Sequence, residues 1–241
     1  MYAVDTQLLH TYSKGMTTTS HKLVFKHNHL YVEIEGALWV YDTGADSSFG
    51  NRSTGLLGPK EDIAELYAGQ FSAEDISGFL GETVAGIIGA DIINRYDHII
   101  DLRANQLTVS DGDLTSEGLV QPVELFMGVP MLKANIGGAT HSLFFDTGAQ
   151  ISYFQGTPPA DAVDAGELED FFPTVGPFRT QTKFIKVGLN GLSYTLRCGK
   201  LPGMMGMALS MANVSGILGN EVMRGRVTAF YPRRQQLVLQ A

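Results

Sequence analysis

Apolar and polar positions in this chain alternate in short runs that are broken by Gly-containing turns, a two-residue period that predicts strands. Residues 30–42, LYVEIEGALWVYD, set β-branched and aromatic side chains on either side of Glu35-Gly36 and read as a hairpin. Residues 131–146, MLKANIGGATHSLFFD, repeat that pattern with a longer turn at Gly137-Gly138. Residues 184–198, FIKVGLNGLSYTLRC, form the clearest hairpin, because Asn190-Gly191 tolerates positive φ at both turn positions. Residues 59–81, PKEDIAELYAGQFSAEDISGFLG, depart from the alternation and predict one or two short helices. The first 19 residues read either as a strand over residues 2–10 or as a loose arm. The predicted class is therefore all-β with a few short helices.

Two sequence motifs recur. Residues 38–48 read LWVYDTGADSS and residues 142–152 read SLFFDTGAQIS, so each has an apolar run, Asp-Thr-Gly-Ala and a nearby Ser. Residues 86–110 align without a gap on residues 216–240: both open Gly-Ile-(Ile/Leu)-Gly and end in an apolar strand after Arg-x-x-Gln-Leu. A single Asp-Thr-Gly arises by chance in about one chain in twenty; two copies, each behind an apolar strand and ahead of the same second motif, do not. The chain divides on this basis into residues 1–19, a first lobe at 20–112, a polar linker at 113–120 and a second lobe at 121–241.

Composition narrows the function. The formal charge of −8 argues against nucleic acid, which needs clustered Lys and Arg. No stretch approaches the ~20 apolar residues that span a bilayer, and no apolar run follows a basic start, so no membrane contact and no secretory leader are expected. The one cysteine, Cys198, can form no internal disulfide, which fits a reducing, cytoplasmic setting.

The repeated aspartates suit peptide hydrolysis. Two carboxyls sharing a proton can activate a water with the ionised member and hydrogen-bond the substrate carbonyl with the protonated one. Such a pair needs each Asp at the end of a buried strand, a Thr able to bond across the interface, and a Gly that lets two backbones approach.

These residues resemble the retropepsin-like aspartic proteases, and two copies in one chain are similar to the bilobal, pepsin-like arrangement. The resemblance covers residues 30–50, 84–110, 131–154 and 182–240. It implies two pseudo-two-fold-related lobes, a catalytic pair Asp42 and Asp146, supporting loops Thr43-Gly44-Ala45 and Thr147-Gly148-Ala149, and GIIG and GILG segments packed beneath the aspartates. It implies no metal and no organic cofactor. The expected molecule is a monomeric aspartic endopeptidase that takes a peptide or protein substrate, processing a specific peptide or precursor; the alternative on the same fold is a non-catalytic peptide-binding module.

Both residues after the loop glycines are alanine, where pepsin-like enzymes carry a hydroxyl that holds the carboxylate ionised, so a mildly acidic to near-neutral optimum is expected. A covering hairpin is expected near Phe172–Thr180 in the second lobe, with Gly176 and Phe178 meeting substrate, and Asp46 and Gln150 are placed at unequal subsites. Asp46 could equally pair with Arg52. His27 and His29 share a strand face without an acidic or Cys partner at ligand spacing, and read as a solvated strand. Cys198 reads as a buried thiol, and the Met-rich stretch at 203–211 as packing against cleft or core.

Overall fold

In the computed structural model, which describes residues 16–172 and 175–240, the chain is mostly β with three α-helices among the described residues. Tight two-residue turns generate the first hairpins. Strand β1 (Thr18–Lys26) reverses at His27-Asn28, where φ is 51° and 63°, into β2 (His29–Ile34). β2 reverses at Glu35-Gly36 into β3 (Ala37–Tyr41). Leu23, Leu30, Val32, Ile34 and Trp39 from these strands are buried together.

The chain continues through β4 (Phe49–Gly50), helix α1 (Ala73–Leu80), β5 (Gly86–Ile88), the short helix α2 (Ala90–Ile93), β6 (Asp97–Asp101) and β7 (Gln106–Ser110). Helix α1 starts because Ser72 and Asp75 bond reciprocally, and it stops at Gly81 with φ 63°. A second helix does not form before it. Ala68 and Gly69 both take positive φ, and the segment is held by isolated bridges between Thr54 and Glu61 and between Tyr67 and Phe71.

The second half runs β8 (Leu119–Phe126), β9 (Val129–Ile136), β10 (Ala139–Phe145), β11 (Ser152–Phe154), β12 (Val163–Phe172), β13 (Gly176–Leu189), β14 (Leu192–Gly199), helix α3 (Gly203–Met211), β15 (Gly216–Leu218), β16 (Val227–Tyr231) and β17 (Gln236–Leu239). The turn at Gly137-Gly138 is two residues and not longer as the sequence suggests: both glycines take positive φ, 60° and 82°, so no third residue is needed. Asn190-Gly191 turns the same way between β13 and β14.

One pairing recurs in both halves. β3 lies parallel to β5, with Tyr41 opposite Ile88, and β10 lies parallel to β15, with Phe145 opposite Leu218. One late strand crosses the division read from the repeats: β16 pairs with β6, while β17 pairs with β8 at the start of the second half. β1 begins at Thr18 and pairs with β7, while Leu119 and Val120 already belong to β8. The strand considered over residues 2–10 lies outside the described residues. No helix among the described residues is long and apolar enough to cross a membrane.

The joint between the halves carries buried polar groups. Asp97 is fully buried, lies within ion-pair distance of Arg233 (3.0 Å), accepts a hydrogen bond from Arg234, and accepts the Leu114 amide at 2.9 Å. Arg233 also donates to the carbonyls of Asp111 and Gly112, which ties down the connecting segment.

His98 sits beside this joint, wholly buried between Tyr41 and Phe230, with Nε2–H donating to the Ile93 carbonyl at 2.7 Å. Burial pushes its pKa down from 6.5 to about 4. The folded protein therefore keeps His98 neutral where the unfolded chain protonates it, so its contribution is complete above pH 6.5 and is lost as pH falls toward 4. Urea unfolding is expected to show His98→Gln losing less stability than wild type across that window, by about 3 kcal/mol or less. Parallel pH dependence in the two proteins would contradict it.

Candidate active site

Each Asp-Thr-Gly loop follows directly from a buried parallel strand. The Asp42 amide donates to the Ile88 carbonyl at 3.0 Å, and the Asp146 amide donates to the Leu218 carbonyl at 3.0 Å. The GIIG and GILG segments thus hold the two aspartates from below. Each is braced further: the Gly89 amide donates to Ser48 Oγ at 2.9 Å, and the Gly219 amide to Ser152 Oγ at 3.1 Å. A β-carbon at Gly216 would run into the Tyr153 carbonyl, and one at Gly86 into that of Phe49, so both motifs need glycine for close strand approach.

The two loops are locked to one another by their threonines. Thr43 N–H donates to Thr147 Oγ1 and Thr147 N–H donates to Thr43 Oγ1, both at 3.0 Å. Each hydroxyl donates onward, Thr43 to the Phe145 carbonyl at 2.8 Å and Thr147 to the Tyr41 carbonyl at 2.7 Å. Both threonines are buried, and their two amides and two hydroxyls are all satisfied within the protein.

This lock brings Asp42 and Asp146 within hydrogen-bonding reach of each other. Each also accepts two amides on Oδ1: Asp42 from Gly44 (2.8 Å) and Ala45 (3.1 Å), Asp146 from Gly148 (2.9 Å) and Ala149 (3.0 Å). A β-carbon on Gly44 would collide with the Asp146 carboxyl, and one on Gly148 with that of Asp42, so each glycine makes room for the opposite aspartate.

Burial raises the pKa of both aspartates. Asp146 is lifted well above the carboxylate range, first by desolvation and then by the Asp42 charge. For Asp42 the rise is opposed by the bond from Asp146 and by the Gly44 and Ala45 amides. The two carboxyls interact too closely to ionise independently, so they titrate as a pair.

The dyad opens on two cavities. The larger, about 500 Å³, is lined by both aspartates together with His29, Phe79, Gln150, Tyr153, Asp170 and Phe178. The second, about 400 Å³, has Gly44 and Asp146 at one end and apolar walls from Phe144, Phe172, Leu201 and α3 residues Met204, Met205 and Leu209.

The residues expected at the site are distributed unevenly. Gln150 and Phe178 face the larger cavity, as does Ala149, whereas Ala45 is buried in packing. Asp46 lies exposed outside both linings, accepting the Tyr67 hydroxyl at 3.3 Å and the Ser47 hydroxyl at 3.1 Å, while Arg52 donates to Asn51 Oδ1 at 3.4 Å and not to Asp46. Gly176 serves the β12–β13 reversal with φ 83° and lines neither cavity.

His29 is not on a solvated strand. It lines the larger cavity, its ring bonds the Gly148 carbonyl at 3.3 Å, and burial lowers its pKa. Its sequence gives no sign of this, because the adjacent His27 and Asn28 occupy a turn. Asp170 and Tyr153 were also invisible in sequence, since neither belongs to a repeated motif. Cys198 is buried, with its thiol pushed up to about 12 by desolvation. Among the described residues no three His, Cys, Asp or Glu side chains are arranged to hold a metal ion.

Two measurements test this construction. Thr147→Val is expected to cost about 1–3 kcal/mol in denaturant unfolding, because it orphans the Thr43 amide and the Tyr41 carbonyl, while Thr147→Ser stays near wild type. Equal effects would refute the lock. For Asp146, a raised carboxyl pKa favours folding below the ordinary carboxylate range and costs stability as pH rises through it. Asp146→Asn is therefore expected to raise the melting temperature at pH 7 and to change it less at pH 4; a lower melting temperature at pH 7 would count against the assignment.

Compared with known proteins, the chain matches no protein-family model and no curated protein.

Proposed function

We propose that this chain is an aspartic endopeptidase with two related lobes, in which Asp42 and Asp146 together activate a water for attack on a peptide bond. The observation that carries this reading is the dyad itself: two carboxyls within hydrogen-bonding reach, each fed by two amides and held together by reciprocal threonine bonds. The ionised Asp42 takes a proton from water as that water attacks the carbonyl carbon. The protonated Asp146 hydrogen-bonds the carbonyl oxygen, and the proton gained by the pair passes to the departing amine. No further group is required for the balance.

The cleft supports an extended peptide as substrate. It presents cavities on two sides of the dyad, one with polar groups and one apolar, so side chains flanking the scissile bond meet different surroundings. The β12–β13 hairpin, whose Phe171, Phe172, Pro177 and Phe178 line the larger cavity, is the element that excludes water there. Acting as a monomer in a cytoplasmic setting fits the single buried thiol.

The test is cleavage of a peptide library by wild type, Asp42→Asn and Asp146→Asn. Specific cleavage by wild type and loss of at least about a thousandfold in each variant is expected. Binding without cleavage by wild type would replace the enzyme with a peptide-binding module. The pH–rate profile is expected to peak at mildly acidic to near-neutral pH, since alanine follows each loop glycine and both aspartates are shifted upward. A peak below about pH 3 would contradict it.

A further inference from the structure

Beyond the Asp42–Asp146 pair, Glu169 and Asp170 also line the larger cavity, and the aspartate mechanism uses neither. Asp170 belongs to β12, one strand of the long β12–β13 hairpin. Its neighbours on that hairpin, Glu167 and Glu169, pair with Arg179 on the exposed face. Asp170 turns the other way and, among the described residues, has no Lys or Arg partner. Neutral donors satisfy it instead. Gln150 Nε2 donates to Oδ1 at 2.7 Å, the Phe171 amide donates to the same oxygen at 2.8 Å, and the Tyr153 hydroxyl donates to Oδ2.

The origin of these donors is informative. Gln150 stands four positions after Asp146 in the same loop, and Tyr153 lies in β11, which pairs with the GILG strand β15 at Ile217. Burial holds the Tyr153 hydroxyl far above its usual range, so it remains a donor. On the opposite side, the Phe171 ring stacks on Phe79 of α1, with centroids 3.5 Å apart and planes at 16°. Asp46, the counterpart of Gln150 in the first loop, bonds Ser47 and Tyr67 and, among the described residues, no other side chain. The attachment therefore exists for one loop and not the other.

We propose that Asp170 is a positioning residue that clamps the β12–β13 hairpin to the Asp146 loop, and so sets where the hairpin crosses the substrate cleft. The proposal rests on the endopeptidase reading for its kinetic consequence, though the clamp itself is a property of the fold. With the clamp made, Phe171 is directed onto Phe79 and the cleft wall is in place before substrate arrives. Without it the hairpin must be ordered by the substrate, at the expense of affinity.

The experiment compares full-length wild type with Asp170→Ala, Asp170→Asn, Tyr153→Phe and the Asp170→Ala/Tyr153→Phe double variant, with Arg179→Ala as an outer-face control. Two quantities are read: amide hydrogen exchange over residues 163–172 and 176–184, and kcat and KM on a peptide drawn from the library. Asp170→Ala and Tyr153→Phe are each expected to speed exchange in the hairpin and to raise KM by about tenfold, with kcat changed by less than about threefold. The double variant is expected to be no worse than Asp170→Ala, because both changes break one linkage. Asp170→Asn keeps an acceptor for Gln150 and the Phe171 amide and is expected to recover most of the effect; an Asn variant as impaired as Ala would show that charge, not the clamp, matters. Hairpin exchange in Asp170→Ala equal to wild type, or KM within about twofold of it, would overturn the proposal. A wild type that cleaves no peptide would remove the endopeptidase reading and the kinetic role, and the exchange comparison would then decide the clamp alone.

Discussion

Two carboxyl groups of like charge do not approach one another inside a protein unless something else holds them there. Here the holding is done by Thr43 and Thr147, whose amides and hydroxyls bond across to the other's loop. Removing both aspartates from water and setting them side by side is unfavourable, and the raised pKa of each is the measure of it. The four amides directed at the carboxyl oxygens offset part of that cost, and sharing a proton offsets more. The close approach of the two carboxyls is thus supported by threonine bonds that are themselves buried.

The rest of the fold delivers these loops to the same place. Parallel pairing of β3 with β5 and of β10 with β15 puts each aspartate at the end of a strand with its amide bonded to the neighbouring chain. Strand β16, added to β6, carries Phe230 under both halves, where it meets the rings of Phe145 and His98. Asp97 with Arg233 and Arg234 fixes the connecting segment at the same joint. The equivalence ends above the dyad. One half offers helix α1 and the other offers a long hairpin and the Met-lined helix α3, so the two sides of the cleft present different chemistry.

The repeated motifs Asp-Thr-Gly-Ala and Gly-Ile-(Ile/Leu)-Gly, the alternating apolar runs and the Asn190-Gly191 turn were legible from the sequence because each is imposed by local geometry. A loop that must bring its carboxylate beside another has few residues it can use, and a two-residue turn with positive φ has fewer. That is why the Asp-Thr-Gly-Ala loops and the mostly-β character are legible in the sequence. The turn at Gly137-Gly138 is shorter than its sequence suggests for a related reason: composition marks where a chain reverses, not how many residues the reversal takes.

Only the tertiary structure decided which strand of one half completes the sheet of the other, that His29 faces the cavity while Asp46 does not, and that Asp170 reaches Gln150 and Tyr153. These are contacts between residues remote in sequence, made by side chains of common type with no spacing rule between them. Asp170 would look the same in sequence on either face of its strand. Its role depends on a bulge between Asp164 and Gly166 and on the register of a hairpin, and those are settled by packing, where the whole chain contributes at once.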